Sequence, residues 1–90
     1  MKLTELERER FAEVFIKKTA QLSSQIASQR KFKDPEELES VAYAALGQAL
    51  ASYDGVVDPN AVWTYAAATI RNACIDAIRK EQTQNEIRKG

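Results

Sequence analysis

The sequence predicts an all-α fold, a small bundle of three to four helices built on an antiparallel helical hairpin. Two stretches, 34–53 and 58–80, carry apolar residues at the i, i+3, i+4, i+7 spacing of an amphipathic helix. Both open with Asp-Pro, in which Asp34 or Asp58 caps the first turn and the proline presets φ at the first helical position. The short connection 54–57 joins the two helices into a hairpin.

A first long helix is predicted from Thr4 to about Lys31. Its glutamates are weighted to the N-terminal end, where the helix dipole favours negative charge. Ser23 and Ser24 lower the helix propensity of the second half, so we expect a bend or break near them. The face expected to pack against the hairpin comprises Phe11, Val14, Phe15, Lys18, Leu22, Ile26 and Gln29.

The outer face of the first hairpin helix is almost uncharged beyond Glu39. Small residues recur there at Ser40, Ala44, Gly47 and Ala51. A glycine in mid-helix costs about 1 kcal/mol relative to alanine, and the close approach of another helix would explain Gly47. Two occupants of this face are compatible with the sequence. The simpler one is the first helix of the same bundle, and the other is a partner protein.

The turn and the second hairpin helix complete the domain. Gly55 suits a left-handed C-terminal position after the helix, and Val56-Val57 are expected to tuck under the bundle. The second helix is predicted to end at Lys80 or Glu81, which gives one helical domain over 1–81. Residues 82–90 are polar and charged, and are expected to be a frayed helix extension or a disordered tail.

The composition excludes most catalytic and metal sites. The chain has no histidine, one cysteine and three isolated glycines, so it lacks a Ser–His or Cys–His pair, a zinc ligand set and a phosphate-binding loop. Cys74 lies on the apolar stripe and is interpreted as a core residue. We therefore expect no enzymatic activity, no metal and no cofactor.

The charge pattern and hydropathy restrict the partners. No stretch is apolar over the roughly 20 residues that a membrane span needs. The N-terminus is charged and unlike a signal peptide, so we expect a soluble cytoplasmic protein. The formal net charge of zero argues weakly against DNA binding, because non-specific affinity scales with the phosphates neutralised. Basic residues nevertheless cluster at 30–33 and 79–80.

Two ungapped blocks carry a family resemblance over about 37–80. The first block is Glu37-Leu38-Glu39-Ser40-Val41-Ala42, followed by Leu46, Ala49 and Tyr53-Asp54. The second block has Tyr65-Ala66, Ile70-Arg71, Asp76 and Ile78-Arg79. Together they resemble conserved region 2 of the bacterial sigma-70 family of transcription initiation factors. The run Arg71-Asn72, Ile75-Asp76 and Arg79-Lys80 is most similar to the extracytoplasmic-function branch of that family.

The resemblance implies two binding surfaces. The helix from Glu37 would dock on the clamp helices of core RNA polymerase, and the helix from Asp58 would hold the non-template strand of the −10 promoter element. The matching polymerase- or partner-binding candidates are Glu37, Leu38, Ser40, Val41, Ala44, Gly47 and Gln48. The matching DNA-binding candidates are Arg71, Asn72, Arg79 and Lys80, with Trp63 and Tyr65 as a stacking surface. For these two aromatic residues, packing in the core or at the bundle end is the simpler interpretation.

Departures from the family pattern leave three hypotheses open. Ser40-Val41 replace the Gln-Glu pair of polymerase docking, and Ala68-Thr69 replace the aromatic pair with which housekeeping members open the duplex. No −35-reading helix-turn-helix follows in the sequence. The chain is then a stand-alone region 2 protein with a partner for −35 recognition, a sigma-fold regulatory adaptor without promoter binding, or an unrelated helical homo-oligomerisation module.

Overall fold

Three helices build the domain, and each packs against the other two. They are α1 (Glu5–Gln29), α2 (Pro35–Ser52) and α3 (Pro59–Lys89). The computed structural model describes the backbone of residues 2–89 and the side chains of residues 2–81. The predicted all-α fold, with α2 and α3 as its hairpin, is confirmed.

The start of α1 follows directly from its sequence. The Thr4 hydroxyl oxygen accepts a hydrogen bond from the Glu7 amide at 3.2 Å, and the Glu7 carboxylate accepts one from the Thr4 amide at 2.9 Å. This capping box satisfies two of the amide donors that a helix start leaves unpaired. Just before it, Leu3 enters the core and Lys2 forms an antiparallel bridge with Asp54. The N-terminal segment is thus fastened to the turn between α2 and α3.

The predicted break in α1 is wrong, because the helix runs unbroken through the two serines. Ser23 is buried, and its hydroxyl donates a hydrogen bond to the Ala20 carbonyl oxygen at 3.0 Å. The side chain therefore finds its partner within the preceding turn of the same helix.

The packing face of α1 also differs from the expected one. Val14 is 62% exposed, so its predicted place in the core is wrong. The fully buried positions of α1 are Phe15, Thr19, Ser23, Ile26 and Ala27. Two small polar residues thus occupy core positions that an apolar pattern does not reveal.

A Schellman motif ends α1 without a glycine. The Phe32 amide donates to the Ala27 carbonyl at 2.9 Å, and the Lys31 amide donates to that of Ser28 at 3.3 Å. Lys31 takes the left-handed conformation, with φ of 52°. Phe32 packs against the core, and this contact holds the chain on its way into α2.

Both Asp-Pro caps are confirmed. Asp34 Oδ1 accepts the Glu37 amide at 3.1 Å. Asp58 Oδ2 accepts the amides of Asn60 and Ala61, each at 3.1 Å. These bonds fix where the two hairpin helices begin.

The turn between α2 and α3 differs from the prediction in two respects. Gly55 does not have a positive φ; instead it makes room for the Tyr53 ring, because a Cβ on Gly55 would lie 3.0 Å from Tyr53 Oη. The Tyr53 hydroxyl donates a 2.6 Å hydrogen bond to the Val56 carbonyl oxygen, which closes the turn. Val56 and Val57 do not tuck under the bundle, since they are 74% and 41% exposed.

The end of α3 lies partly outside the described side chains. The helix continues to Lys89, past the predicted end at Lys80 or Glu81. The side chains of 82–90 are not among the described ones, so the boundaries 1–81 and 82–90 and the character of the tail stay predictions. Across the described part of the chain, every helix is too short or too polar to cross a membrane.

Thr19→Val should stabilise the fold. Thr19 is 0% exposed and its hydroxyl oxygen has no hydrogen-bond partner among the described residues. Valine keeps the shape and removes the buried polar group, so we expect the free energy of unfolding in urea to rise by about 1–2 kcal/mol. Ser23→Ala is the matched control on the same face. It removes a hydroxyl that is hydrogen-bonded, and should not stabilise the protein; equal gains from both variants would contradict the explanation.

Candidate functional site

The outer face of α2 is open. Ser40, Ala44, Gly47 and Ala51 are all exposed, and a Cβ built on Gly47 would meet no atom within 4 Å. The interpretation that α1 covers this face is therefore wrong. Both α1 and α3 pack against the opposite side of α2, which is buried at Leu38, Ala42, Ala45, Leu46, Ala49 and Leu50.

The other polymerase-binding candidates on α2 differ in how far their side chains are exposed. Glu37 and Gln48 are exposed, and Val41 is half-buried at the edge of the open face. Leu38 is 0% exposed and belongs to the core, where its carbonyl oxygen lies 4.0 Å from Cys74 Sγ. A partner of the folded domain therefore has no access to Leu38.

Polar groups near the open face are bonded within α2 itself. The Tyr43 hydroxyl donates to Glu39 Oε1 at 2.9 Å, and this hydrogen bond is the main reason why the pKa of Tyr43 is raised. The Ser40 hydroxyl donates to the Glu36 carbonyl at 3.3 Å. Because the carboxylates of α2 all lie at positions 36–39, the rest of its outer face is uncharged. Small side chains run along its centre, and the exposed Tyr43 and Gln48 flank them.

The basic candidates on α3 are exposed but do not share one face. Arg71 and Asn72 line one depression, and Arg79 lines an adjacent one together with Asn72. Lys80 lies about 100° round the helix from Arg79. Its Nζ is 3.4 Å from Asp76 Oδ2, in an exposed i,i+4 pair of the kind that contributes only about 0.3–0.5 kcal/mol.

Trp63 faces α1. Its ring centroid lies 5.1 Å from that of Phe15, which stacks in turn on Phe11 at 5.4 Å. The Lys18 ammonium lies 5.5 Å from the centroid of Trp63 and 5.9 Å from that of Phe15, within the range of cation–π attraction. The half-buried ring also lines the depression that contains Arg71. Trp63 thus combines a packing role with a partly open ring.

Tyr65 faces α2. Its hydroxyl shares a 2.9 Å hydrogen bond with that of Ser52, and its ring lies edge-on to Tyr53 with centroids 5.4 Å apart. Side chains of residues two positions apart on a helix point in directions that differ by about 200°. Trp63 and Tyr65 therefore do not form one stacking surface.

A cleft between α1 and α3 was missed in the sequence. Its lining residues are Leu22, Gln25, Ile26 and Gln29 of α1, Arg30 directly after α1, and Arg71 and Ile75 of α3. The signal that reveals it is the spacing of Lys18, Leu22, Gln25 and Gln29, since i, i+4, i+7 and i+11 share one helix face. Lys18, Leu22 and Gln29 already belong to the face that the sequence predicts to pack against the hairpin, whereas Gln25 and the α3 side of the cleft do not follow from that pattern.

The described side chains contain no group of three histidine, cysteine or acidic residues placed to hold a metal ion. Cys74 is buried, and burial raises the pKa of its thiol above the usual value. A thiol held in its neutral form is a poor nucleophile.

Comparison with known proteins identifies the family of the chain. Residues 16–84 match the family sigma-70 region 2, which covers well over half of the 90-residue chain, and the chain belongs to this family. The match takes in most of α1, beyond the resemblance at 37–80. Membership implies interaction with core RNA polymerase, and the family is one of transcription regulators. No curated protein and no solved structure matches the chain.

The two internal glycines should respond oppositely to alanine. Gly47→Ala should raise the free energy of unfolding by about 1 kcal/mol, because the new methyl group meets open space and alanine favours the helix. Gly55→Ala should lower it by about 1–2 kcal/mol, because the methyl group pushes the Tyr53 ring away from Val56. Urea unfolding measures both. A loss of stability in Gly47→Ala would show that the outer face of α2 is already packed in solution.

Proposed function

We propose that this chain is a sigma-type region 2 protein that binds core RNA polymerase through α2 and the non-template strand of the −10 element through α3. A second protein supplies −35 recognition, and the complex works in the cytoplasm together with the polymerase. The observation that carries the proposal is the open, uncharged outer face of α2, on the helix to which the resemblance assigns polymerase docking.

Docking on α2 is favoured by its lack of side-chain bulk. The clamp helices can approach the backbone closely at Gly47, and small residues at 40, 44 and 51 extend this approach over three turns. Leu38 is excluded as a contact by its burial. Since Ser40 and Val41 supply no carboxylate, close packing along this face and the charge of Glu37 make the contact. The docking residues are Glu37, Ser40, Val41, Ala44, Gly47 and Gln48.

Strand binding on α3 is favoured by the side chains around Arg71. No carboxylate occurs from Pro59 to Ile75, and the next residue, Asp76, which lines the depression of Arg79, is paired with Lys80. Arginine and asparagine side chains contact phosphate oxygens, and an aromatic ring stacks on an unpaired base. Arg71, Asn72 and Trp63 occur in one depression, with Arg79 in the next.

The alternative function is a sigma-fold adaptor that binds proteins and has no promoter activity. It is favoured by the exposed Ala68, which leaves the position of the family's duplex-opening aromatic pair without a ring. It is also favoured by the pairing of Lys80 with Asp76. The third hypothesis, an unrelated module that matches by chance, is wrong because the chain belongs to the family. Self-association of the chain stays a prediction.

Gly47→Leu tests polymerase docking without disturbing the fold. The leucine projects from an open position, so helicity by circular dichroism should be retained. In a pull-down of bacterial core RNA polymerase, we expect binding to weaken about tenfold or more, because the side chain holds the two surfaces apart. Ser24→Leu adds the same bulk at an exposed position of α1 and should bind normally. No binding by the unaltered chain, or equal binding by both variants, would refute docking on this face.

Arg71→Ala combined with Arg79→Ala separates the two candidate functions. Under the proposal, the complex with polymerase should lose retention of a labelled −10 non-template strand while polymerase binding is unchanged. The adaptor predicts no effect on either measurement. Asp76→Ala is the control on the same helix: it removes an exposed charge that repels phosphate, and should leave strand retention the same or higher.

A further inference from the structure

Positive charge is concentrated in the second half of α1 and the turn that follows it. From Val14 to Lys33 the chain has five lysines and arginines and no carboxylate. From Pro59 to Ile75, α3 carries Arg71 and again no carboxylate. The glutamates of α1 all come earlier, at positions 5–13. A chain of zero net charge thus has one purely cationic region.

Three cations of this region line a single seam, which we define as the surface from Lys18 and Trp63 to Arg30. Lys18 lies over the Trp63 ring at one end. Arg71 lines both the depression beside Trp63 and the cleft that contains Arg30, so it connects the two. Lys18 and Arg30 are twelve residues apart, or about 18 Å along α1.

The seam also has the other groups that a single nucleic-acid strand needs. Its apolar floor consists of Leu22, Ile26 and Ile75, and amide side chains are supplied by Gln25, Gln29 and Asn72. Lys18, Arg30 and Arg71 form no ion pair with a carboxylate in the part of the chain whose side chains are described. Cations that are not neutralised by neighbours remain available to phosphates.

We propose that the unpaired DNA strand lies along this seam and that α1 supplies two of its phosphate-binding residues, Lys18 and Arg30. The inference rests on the proposed function and extends the site from α3 to α1. A base stacks on the open part of the Trp63 ring, Lys18 moves from above that ring to the adjacent phosphate, and Arg71 binds the backbone between the two ends. Lys80, paired with Asp76, lies outside the track.

An unpaired strand fits the seam better than a duplex does. An aromatic ring beside cations captures a base by stacking, which requires a base face that a duplex keeps covered. The seam also runs along a cleft between two helices, whereas the major groove of a duplex is read by an element that projects into it, such as an α-helix.

The test uses Trp63 itself, the only tryptophan of the chain. Its fluorescence should be quenched on titration with a single-stranded oligodeoxythymidylate of about 12 nucleotides. At about 50 mM salt, Lys18→Gln and Arg30→Gln should each weaken binding about tenfold. Each should also reduce the slope of log K against log salt by about 0.7, the value for one lost phosphate contact on a single strand.

Lys17→Gln is the matched control. It removes the same charge from the neighbouring residue, which lies about 100° away on the exposed side of α1. Its affinity should equal that of the unaltered chain. Equal loss of oligonucleotide affinity in Lys17→Gln and Lys18→Gln, or equal quenching of Trp63 by a duplex of the same length, would contradict strand binding along the seam.

Retention of a labelled −10 non-template strand by the polymerase complex distinguishes this inference from the proposed function. One outcome is that the complex retains the strand and loses it in Arg79→Ala but not in Lys18→Gln or Arg30→Gln. Strand binding along the seam is then wrong, and the proposed function stands. If the chain binds polymerase but the resulting complex retains no strand, both strand binding along the seam and promoter binding are refuted. Loss of strand retention in the Lys18→Gln variant and in the Arg30→Gln variant, each tested singly, supports strand binding along the seam.

Discussion

The packing of both other helices against one side of α2 is the constraint on which the rest of the structure depends. That side is rich in alanine, at positions 42, 45 and 49, and Ala66 of α3 is equally buried. Small side chains allow helix axes to approach towards the short end of the usual 8–10 Å range. Because α1 and α3 share the same side of α2, they also touch each other. The outer face of α2 is left open as a direct consequence.

The second consequence concerns α1. Its contact through Phe15 with Trp63 fixes which of its faces meets α3, and the regular helix carries that orientation down to Arg30. The cationic second half of α1 is thereby laid beside the part of α3 that has no carboxylate. Two candidate surfaces with different chemistry thus follow from one arrangement. The open face of α2 is uncharged with small side chains along its centre, and the seam between α1 and α3 is cationic with an aromatic end.

Local signals in the sequence were sufficient for the helix starts and for the hairpin. The Asp34 and Asp58 caps depend only on neighbouring amides, so their geometry follows from a few residues. The face of α1 depends on what lies opposite it, and Thr19 and Ser23 occupy core positions that hydropathy assigns to solvent. The role of Gly55 likewise depends on where the Tyr53 ring points. The family pattern identifies the DNA-binding candidates on α3 as one set. Only the structure shows that they lie on different sides of the helix.

The zero net charge is a weak argument against a polyanionic partner once the chain is folded. Charges act over about a Debye length, which is about 8 Å at physiological ionic strength. Glu9 and Lys18 are nine residues apart, or about 13 Å along α1, so the glutamates before Glu13 are largely screened from the seam. Glu13 is closer but lies on an exposed side of the helix. Asp76 lines the neighbouring depression but is paired with Lys80. A phosphate in the seam therefore interacts mainly with Lys18, Arg71 and Arg30, and the local sum of charge, which is positive, decides whether it binds.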